Sequence, residues 1–303
     1  MGEPVSRHLG LDLGATNVKW SVIEHAGAAW RTLDRGQVRT SADGPEAVVA
    51  GLVEVGRASM DRWPDVRSVG VGVPGLYDAD TGAARFLPNL PGEWNGRPIG
   101  APVGDALRLP TSLINDARAF GLAELRLGAG RGCRTMIGLT LGSGVGGVVI
   151  VDGHVHFGHD GTGGEIGHQT IEADGPACTC GNLGCLEALT RADRIATVCG
   201  TDTAEEAVAA ARRGDERARS GLAQVGRALG IGIANMIVVL TPDRVVLGGG
   251  VAAAGDLLLD PIRDEVRRRV HVTDLDRVEI VTAELGTWAG AIGAAVHGAE
   301  RAA

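Results

Sequence analysis

Aromatic side chains are scarce in this chain of 303 residues, which contains one Tyr, three Phe and five Trp. Clustered positive charge is lacking as well. The 29 Lys and Arg residues are outnumbered by 37 Asp and Glu residues, the formal net charge is -8, and no basic block occurs. A protein that binds nucleic acid needs clustered Lys and Arg to neutralise phosphates. The composition therefore argues against nucleic acid as a partner.

Long hydrophobic runs are also missing. The longest nearly continuous apolar run, 231–240, is far below the ~20 residues that a membrane span needs. The first residues, M-G-E-P-V-S-R-H, include no apolar signal core. We therefore expect a soluble, cytoplasmic protein without a membrane partner.

Cysteines are few, but their spacing is informative. Three of the five, Cys178, Cys180 and Cys185, fall in one short stretch that His168 precedes. Three thiolates and one imidazole complete the tetrahedral shell of a structural zinc ion and leave no position open for a substrate. The spacing therefore predicts a zinc site rather than a disulfide framework.

Two acids, Glu165 and Glu187, bracket this stretch. When one ring nitrogen of His168 binds zinc, the other is left to donate a hydrogen bond to a ligand or a neighbouring group. Two carboxylates and this imidazole can together hold several hydroxyl groups of a sugar. A second interpretation of Glu187, as an acid favoured by the dipole at a helix N-terminus, stays open.

Strands alternate with helices along the chain, which predicts an α/β fold. Strands are predicted at 66–73, 110–114, 243–247 and 278–282, and helices at 45–60, 117–126, 203–213, 216–239, 260–270 and 289–299. No Pro- or Ser-rich linker marks a domain boundary, so we place it near residue 115. This gives a smaller N-terminal domain (1–115) and a larger C-terminal domain (116–288) with the zinc loop. The C-terminal helix, 289–300, is expected to pack back on the first domain.

Two short segments resemble each other: L-G-L-D-L-G, which starts at Leu9, and I-G-L-T-L-G, which starts at Ile137. Each is an apolar strand that runs into a glycine turn. The repeat predicts two similar halves that each open with a strand and a turn able to approach a ligand.

The first glycine turn, D-L-G-A-T, carries groups suited to phosphate. Gly14 permits backbone N–H groups to approach a phosphate, Thr16 offers a hydroxyl donor, and Asp12 is an oxygen ligand of the kind that Mg2+ prefers. A plain hairpin turn explains the same residues. The turns L-G-S-G-V-G-G (141–147) and Gly248–Gly250 also permit close contact with a phosphate or nucleotide. The alternative is a glycine-rich hairpin for the first and a tight strand-to-helix connection for the second.

Asn115 and Asp116 stand between a predicted strand and a predicted helix. Both residue types cap helices. The alternative is a functional aspartate at the carboxyl end of a strand, where it accepts a hydroxyl proton as the oxygen attacks phosphorus. Asn89, in the loop segment F-L-P-N-L, is either a turn residue or a hydrogen-bonding ligand.

Together these segments resemble the motifs of the ROK family of bacterial sugar kinases and sugar-responsive repressors. The matching motifs run in family order over nearly the whole chain: D-L-G-A-T-N at Asp12, N-D-A at Asn115, L-G-S-G-V-G-G at Leu141, G-G-E-I-G-H at Gly163 and C-T-C-G-N-L-G-C-L-E at Cys178. The resemblance implies an actin-like, ribonuclease-H-like two-domain sugar kinase fold with an interdomain cleft. It also implies a homodimer or homotetramer.

The resemblance further implies a role for each candidate residue. Asp116 is the expected catalytic base. The expected sugar-binding set is Asn89, Asn115, Asp116, Glu165, His168 and Glu187. The expected ATP-binding set is Asp12, Gly14, Thr16, Thr140, Gly142, Gly248, Gly249 and Gly250, with Mg2+ beside the phosphates. The expected zinc ligands are His168, Cys178, Cys180 and Cys185.

The implied function is the ATP-dependent phosphorylation of a hexose 6-hydroxyl, with glucose, giving glucose 6-phosphate, as the first choice. An aminohexose such as kanosamine, or an N-acylhexosamine, is the alternative, because the shared motifs do not distinguish a hydroxyl from an amine. A sugar-sensing repressor is disfavoured because only eleven residues precede Asp12 and the chain is acidic. A polyphosphate-using kinase is disfavoured because such family members usually lack the cysteine motif. Arg118 and Phe120 depart from the sequence motif that is common in the family, and the sequence does not show whether they face the sugar.

Overall fold

Strands and helices alternate in the computed structural model, which describes residues 5–302. Contacts divide the chain into two compact units. The first contains the residues up to Arg131, Phe157–Thr162 and the residues from Thr287 onward. The second contains Gly132–His156 and Gly163–Gly286.

The first unit is built on a sheet with a mixed strand arrangement. In chain order its elements begin with β1 (Ser6–Leu13), β2 (Asn17–Ala26), β3 (Ala29–Arg39), α1 (Pro45–Arg62), β4 (Val66–Val73), β5 (Leu76–Tyr77), β6 (Ala84–Phe86), α2 (Gly100–Leu107), β7 (Thr111–Asn115) and α3 (Asp116–Leu127). The sheet has the order β3-β2-β1-β4-β7. Strands β1, β2 and β3 are antiparallel, whereas β1, β4 and β7 are parallel, so the latter three have their carboxyl ends at one edge.

The second unit repeats this arrangement. Its elements are β8 (Met136–Leu141), β9 (Val145–Val151), β10 (His154–Val155), α4 (Leu186–Thr190), α5 (Ala192–Cys199), α6 (Ala204–Arg212), α7 (Glu216–Leu240), β11 (Arg244–Gly248), α8 (Asp256–Arg269) and β12 (Glu279–Thr282). The sheet order is β10-β9-β8-β11-β12, again with an antiparallel meander followed by parallel strands. The prediction of two similar halves is confirmed.

The last helix, α9 (Ala289–Ala302), belongs to the first unit and packs on β1 and β4. Two strand glycines make this close approach possible. A Cβ at Gly10 would collide with the carbonyl oxygen of Ala291, and one at Gly70 would collide with that of Ala294. The helix backbone therefore lies directly on the sheet, and its first residues lie at the Asp12 end of β1.

Helix α7 is the central helix of the second unit. It is long and apolar enough to span a membrane by length and composition, but half of its most apolar window is buried inside the structure. Leu222, Leu229 and Ile233 are fully buried there and belong to the same core as β8 and β11. Its apolar character is therefore explained by the packing of this unit.

The division between the units differs from the predicted boundary near residue 115. That position lies within the first unit, which continues to Arg131. The reason is that α3, which follows residue 115, packs along α9. Gly293 permits this contact, because a Cβ there would collide with the backbone of Ala119.

Candidate active site

Asp12 and Asp116 lie at the carboxyl edge of the first sheet. Asp12 pairs with Gly72 of β4, and Gly72 pairs with Ile114 of β7, two residues before Asp116. The two acids therefore flank β4 on its two sides. Gly72 has no side chain to fill the space between them, and a Cβ there would lie 3.5 Å from Asp12 Oδ1. The sheet thus brings together two of the acids singled out in the sequence.

The environment of Asp12 disfavours its negative charge. Burial and, to a smaller extent, the nearby charge of Asp116 raise the pKa of Asp12 to about 6, while Lys19 opposes the shift. Asp12 also lies against the start of α9, where a Cβ at Gly290 would be 2.6 Å from its Oδ2. A carboxylate held in this way gains from a cation placed beside it.

The turn after Asp12 is fixed by backbone contacts. The Gly14 N–H donates to the Asn17 carbonyl oxygen at 3.1 Å, closing the β1–β2 hairpin. Thr40 holds the same turn from outside, since its hydroxyl donates to the Gly14 carbonyl oxygen at 2.6 Å and its N–H donates to the Thr16 carbonyl oxygen at 3.0 Å. Thr16 itself is exposed. The sequence did not indicate Thr40, whose contacts come from a distant strand end.

Asn115 caps α3. Its side-chain oxygen accepts from the N–H groups of Ala117 at 3.0 Å and Arg118 at 3.3 Å, and its Nδ2 donates to the Gly75 carbonyl oxygen at 3.0 Å. Only one amide N–H is therefore left for a ligand. The capping interpretation is correct for Asn115, and it places the next residue, Asp116, exposed at the helix start.

Asn89 lies in the loop between β6 and α2. Its backbone has φ 63, in the left-handed region that Asn tolerates better than most residues. The residue is exposed. Arg118 and Phe120, by contrast, are buried in α3, with relative exposures of 2% and 5%.

One sizeable cavity among the described residues does not coincide with these groups. It has a volume of about 1250 Å³ and lies within the first unit, beside Thr111–Leu113 of β7 and His297 of α9. No residue predicted for sugar or nucleotide binding lines it. This cavity therefore does not mark the predicted site.

The second unit brings two glycine segments together. Thr140 of β8 pairs with Gly248 of β11, so the turn after β8 and the segment Gly248–Gly250 lie side by side. Gly249 has φ 85, and a Cβ there would collide with the backbone of Leu141, so only glycine fits. The 250–254 segment is a short 3-10 helix rather than the start of an α-helix.

The predicted zinc ligands also come together. One potential ligand atom from each of His168, Cys178, Cys180 and Cys185 lies within 4.8 Å of all the others. The Cys180 and Cys185 sulfur atoms are 3.7 Å apart, and Cys178 Sγ is 3.7 Å from His168 Nδ1. Bonds of about 2.3 Å to sulfur and 2.1 Å to nitrogen give tetrahedral edges of about 3.6–3.8 Å, so the spacing fits zinc.

The thiols of this cluster favour a cation electrostatically. Burial, together with the neighbouring Cys180 and Cys178, raises the pKa of Cys185 to about 12. The Cys185 thiol therefore resists ionising unless a positive charge lies beside it. Structural zinc supplies that charge and binds thiolates. The His168 ring would bind through Nδ1, which leaves Nε2 for another partner.

The Glu165–His168 segment is pressed against β9. A Cβ at Gly147 would lie 2.8 Å from the Ile166 Cβ, and one at Gly167 would lie 3.0 Å from the Val145 Cβ. The His168 N–H donates to the Glu165 carbonyl oxygen at 3.1 Å, forming one turn of 3-10 helix. Glycines on both surfaces therefore fix Glu165 and His168 beside the β8–β9 hairpin.

Glu187 contacts that hairpin directly. Its Oε2 accepts from the Val145 N–H at 2.9 Å, and its Oε1 is 3.9 Å from Cys178 Sγ. Five residues further along, the Ala192 N–H donates to the Gly142 carbonyl oxygen at 2.8 Å. These contacts were not predicted, because they join backbone groups that carry no signal in the sequence.

Comparison with known proteins agrees with this arrangement. The model of the ROK family matches residues 8–299. The chain belongs to the ROK family. The family and the α/β fold class predicted from the sequence are therefore confirmed.

ROK proteins similar to this chain over nearly its full length include enzymes and solved structures. A glucokinase from Thermotoga maritima is 32% identical, with 96% of this chain and 97% of the relative covered. The crystal structure of a ROK hexokinase from Thermus thermophilus is 33% identical, with a TM-score of 0.85 and coverage of 97% and 98%. A ROK glucokinase from Streptomyces griseus, solved in complex with glucose and AMPPNP, is 29% identical, with a TM-score of 0.80 and coverage of 97% and 100%.

Proposed function

We propose that this protein transfers the γ-phosphoryl group of ATP to the 6-hydroxyl of a hexose, and that the hexose is glucose. The observation that carries the proposal is the exposed Asp116 at the carboxyl end of β7, within the family's N-D-A motif and across β4 from Asp12. The glucokinase relatives, and the bound glucose and AMPPNP of the Streptomyces griseus structure, support the choice of both substrates.

Asp116 acts as the general base. Its carboxylate accepts the proton of the sugar 6-hydroxyl while the oxygen forms a bond to the γ-phosphorus. The bond between the γ-phosphorus and the oxygen that bridges to the β-phosphate breaks. ADP leaves with this oxygen and with the electron pair of the broken bond. The exposure of Asp116 at the first residue of α3 supports this role, because a base must reach a bound hydroxyl.

The glycine turns hold ATP. Backbone N–H groups of the turn at Gly14 and the hydroxyl of Thr16 would contact phosphate oxygens, as would Thr140 and the turn at Gly142. Gly248–Gly250, next to that turn, would lie along the nucleotide. Mg2+ would be held near Asp12, directly or through water. A half-buried carboxylate with a raised pKa fits a cation as its neighbour.

The sugar contacts Asn89, Asn115, Asp116, Glu165, His168 and Glu187. Asn115 contributes a single amide N–H, because its oxygen and its other N–H are already used in the cap and at Gly75. His168 contributes Nε2 while its Nδ1 binds zinc. Zinc, when bound to His168 and the three cysteines, supplies a rigid anchor for this segment and does not contact the substrate.

A panel of hexoses and aminohexoses with ATP and Mg2+ tests the proposal. We expect kcat/KM for glucose to exceed the values for kanosamine and for N-acylhexosamines. A higher value for an aminohexose would change the substrate but keep the reaction. Failure to phosphorylate any member of the panel would contradict the proposed function.

A further inference from the structure

One short segment joins the cysteine cluster to the turn proposed to bind phosphate. Residues 186–192, here called the linking segment, begin directly after Cys185 and consist of α4, Arg191 and the first residue of α5. The linking segment forms a hydrogen bond with each end of the turn between β8 and β9. Glu187 Oε2 accepts from the Val145 N–H at 2.9 Å, and the Ala192 N–H donates to the Gly142 carbonyl oxygen at 2.8 Å.

The other side of the linking segment is fixed to the cysteine cluster. The Leu186 N–H donates to the carbonyl oxygen of Gln169, the residue after His168, at 3.0 Å. Leu186 itself is fully buried. Glu187 contacts the cysteine cluster as well as the turn, since its Oε1 is 3.9 Å from Cys178 Sγ. Gly144 leaves room for this carboxylate, because a Cβ there would lie 2.6 Å from Oε2.

We propose that the linking segment transmits the state of the zinc site to the phosphate turn, so that zinc sets the affinity for nucleotide as well as for sugar. The inference rests on the proposed function, since it needs ATP phosphates at the Gly142 turn. Glu187 and Ala192 act here as positioning residues. Cys185, when it ligates zinc, would be held in place together with the linking segment that follows it, and the two hydrogen bonds would then hold the turn in its phosphate-binding shape.

The Ala192→Pro substitution removes one of these bonds selectively. Ala192 is the first residue of α5, a position where Pro is well tolerated because its missing N–H would have no partner within the helix. Arg191, the residue before it, has φ -68 and ψ 160, the extended conformation that a following Pro requires. Only the donor to Gly142 is lost. Ala192→Ser keeps the N–H and is the matched control.

The expected result concerns AMPPNP binding measured by calorimetry on zinc-loaded enzyme. Loss of one hydrogen bond that positions a ligand site corresponds to a weakening of about 3- to 10-fold. We expect this loss for Ala192→Pro, unchanged AMPPNP affinity for Ala192→Ser, and unchanged glucose affinity for both. Faster hydrogen exchange at 142–145 in Ala192→Pro would accompany the loss.

A second pair of variants tests the other bond without relying on Pro. Glu187→Gln keeps an oxygen that accepts from the Val145 N–H, whereas Glu187→Ala leaves that N–H without its acceptor. We expect both variants to bind glucose weakly, but only Glu187→Ala to bind AMPPNP more weakly than the parent. Equal AMPPNP affinities of the two variants would overturn the role of Glu187, even if Ala192→Pro failed to fold.

Removal of zinc completes the test. Chelator-treated enzyme should bind AMPPNP more weakly than zinc-loaded enzyme, and the difference should shrink in Ala192→Pro because the connection is already broken. The same AMPPNP affinity with and without zinc would overturn the inference. The proposed function fails differently: zinc-loaded parent enzyme would then phosphorylate no sugar of the panel, whatever its affinity for AMPPNP.

Discussion

The carboxylate of Asp12 lies directly over Gly290, the second residue of α9. A Cβ at Gly290 would be 2.6 Å from Oδ2, 2.7 Å from Cγ and 3.0 Å from Oδ1 of Asp12. The obstructing atoms belong to the end of a side chain, so a methyl group there would displace the carboxylate rather than the backbone. Gly290 therefore sets the position of the acid proposed to hold Mg2+.

We predict that Gly290→Ala lowers kcat/KM for MgATP by about tenfold or more, since small displacements of a positioned group have effects of this size. Its melting temperature should not fall, because Ala favours a helix over Gly. Steady-state kinetics at varied MgATP measure the effect. Gly51→Ala in α1 is the control, since a Cβ there meets nothing within 4 Å. Unaltered MgATP kinetics in Gly290→Ala would show that Asp12 does not need this space.

Asp116→Asn removes the proposed base and preserves the shape of the side chain. We predict that kcat falls by at least ~10², the usual size of the loss of a general base. The dissociation constant for glucose should change little, because the amide still forms hydrogen bonds. Rapid-quench kinetics and calorimetry measure the two quantities. Turnover close to that of the parent would remove Asp116 from the mechanism.

Metal content provides an independent prediction. Protein purified without chelators should contain about one zinc per chain, since four ligands satisfy one tetrahedral ion. Cys180→Ser should lose most of it, whereas Cys133→Ser should keep it, because Cys133 lies outside the cluster. Mass spectrometry of the metal decides the matter, and equal zinc in both variants would contradict the assignment of Cys180.

Two buried histidines predict how stability depends on pH. The pKa of His8 and that of His297 are each lowered to about 4, mainly by burial. The charges of His25 and Arg67 contribute to the shift of His8, and the charge of Arg301 contributes to the shift of His297. In the unfolded chain both pKa values return to about 6.5. Between these two values the unfolded chain binds protons that the folded chain does not.

The free energy of unfolding should therefore fall as the pH drops from about 6.5 to about 4, by up to about 3 kcal/mol for each histidine. Urea unfolding of the parent and of His297→Gln at about pH 7 and about pH 4.5 measures this. The variant should lose less stability than the parent over that interval. An equal loss would mean that His297 is not held neutral in the folded state.

Local patterns in the sequence predicted much of the fold. Strand β4 has the predicted bounds, because its apolar run is bounded by clear turn residues. The clustering of the four candidate zinc ligands was predictable because all four lie close together along the chain. The similarity of β1 and β8 was visible as a repeat, and the sheet orders confirm that it reflects two matching halves.

Elements that depend on tertiary contacts were missed. Strand β3 is polar and largely exposed, and its pairing with β2 rather than an apolar pattern defines it. Helix α2, G-A-P-V-G-D-A-L, contains two Gly and one Pro, and it owes its stability to the burial of Val103 and Leu107. Neither signal can be read before the partner strand or core is known.

The residue types of the candidate site could be predicted from the sequence, but the hydrogen bonds that hold these residues could not. The sequence predicted Glu187 as a candidate sugar-binding acid, whereas its hydrogen bond to the Val145 N–H appears only in the structure. The same holds for Asn115, whose capping contacts leave one donor for a ligand. Backbone partners have no residue-specific signature, so their contacts must be observed.

Identification of the reaction product is the most direct test of phosphoryl transfer from ATP to the 6-hydroxyl of glucose. Zinc-loaded enzyme would be incubated with glucose, ATP and Mg2+, and the products followed by phosphorus and carbon magnetic resonance. We predict glucose 6-phosphate and one ADP for each sugar phosphorylated, with no product from the Asp116→Asn variant on the same time scale. Phosphorylation at another hydroxyl, or ADP and free phosphate without a sugar phosphate, would contradict this prediction.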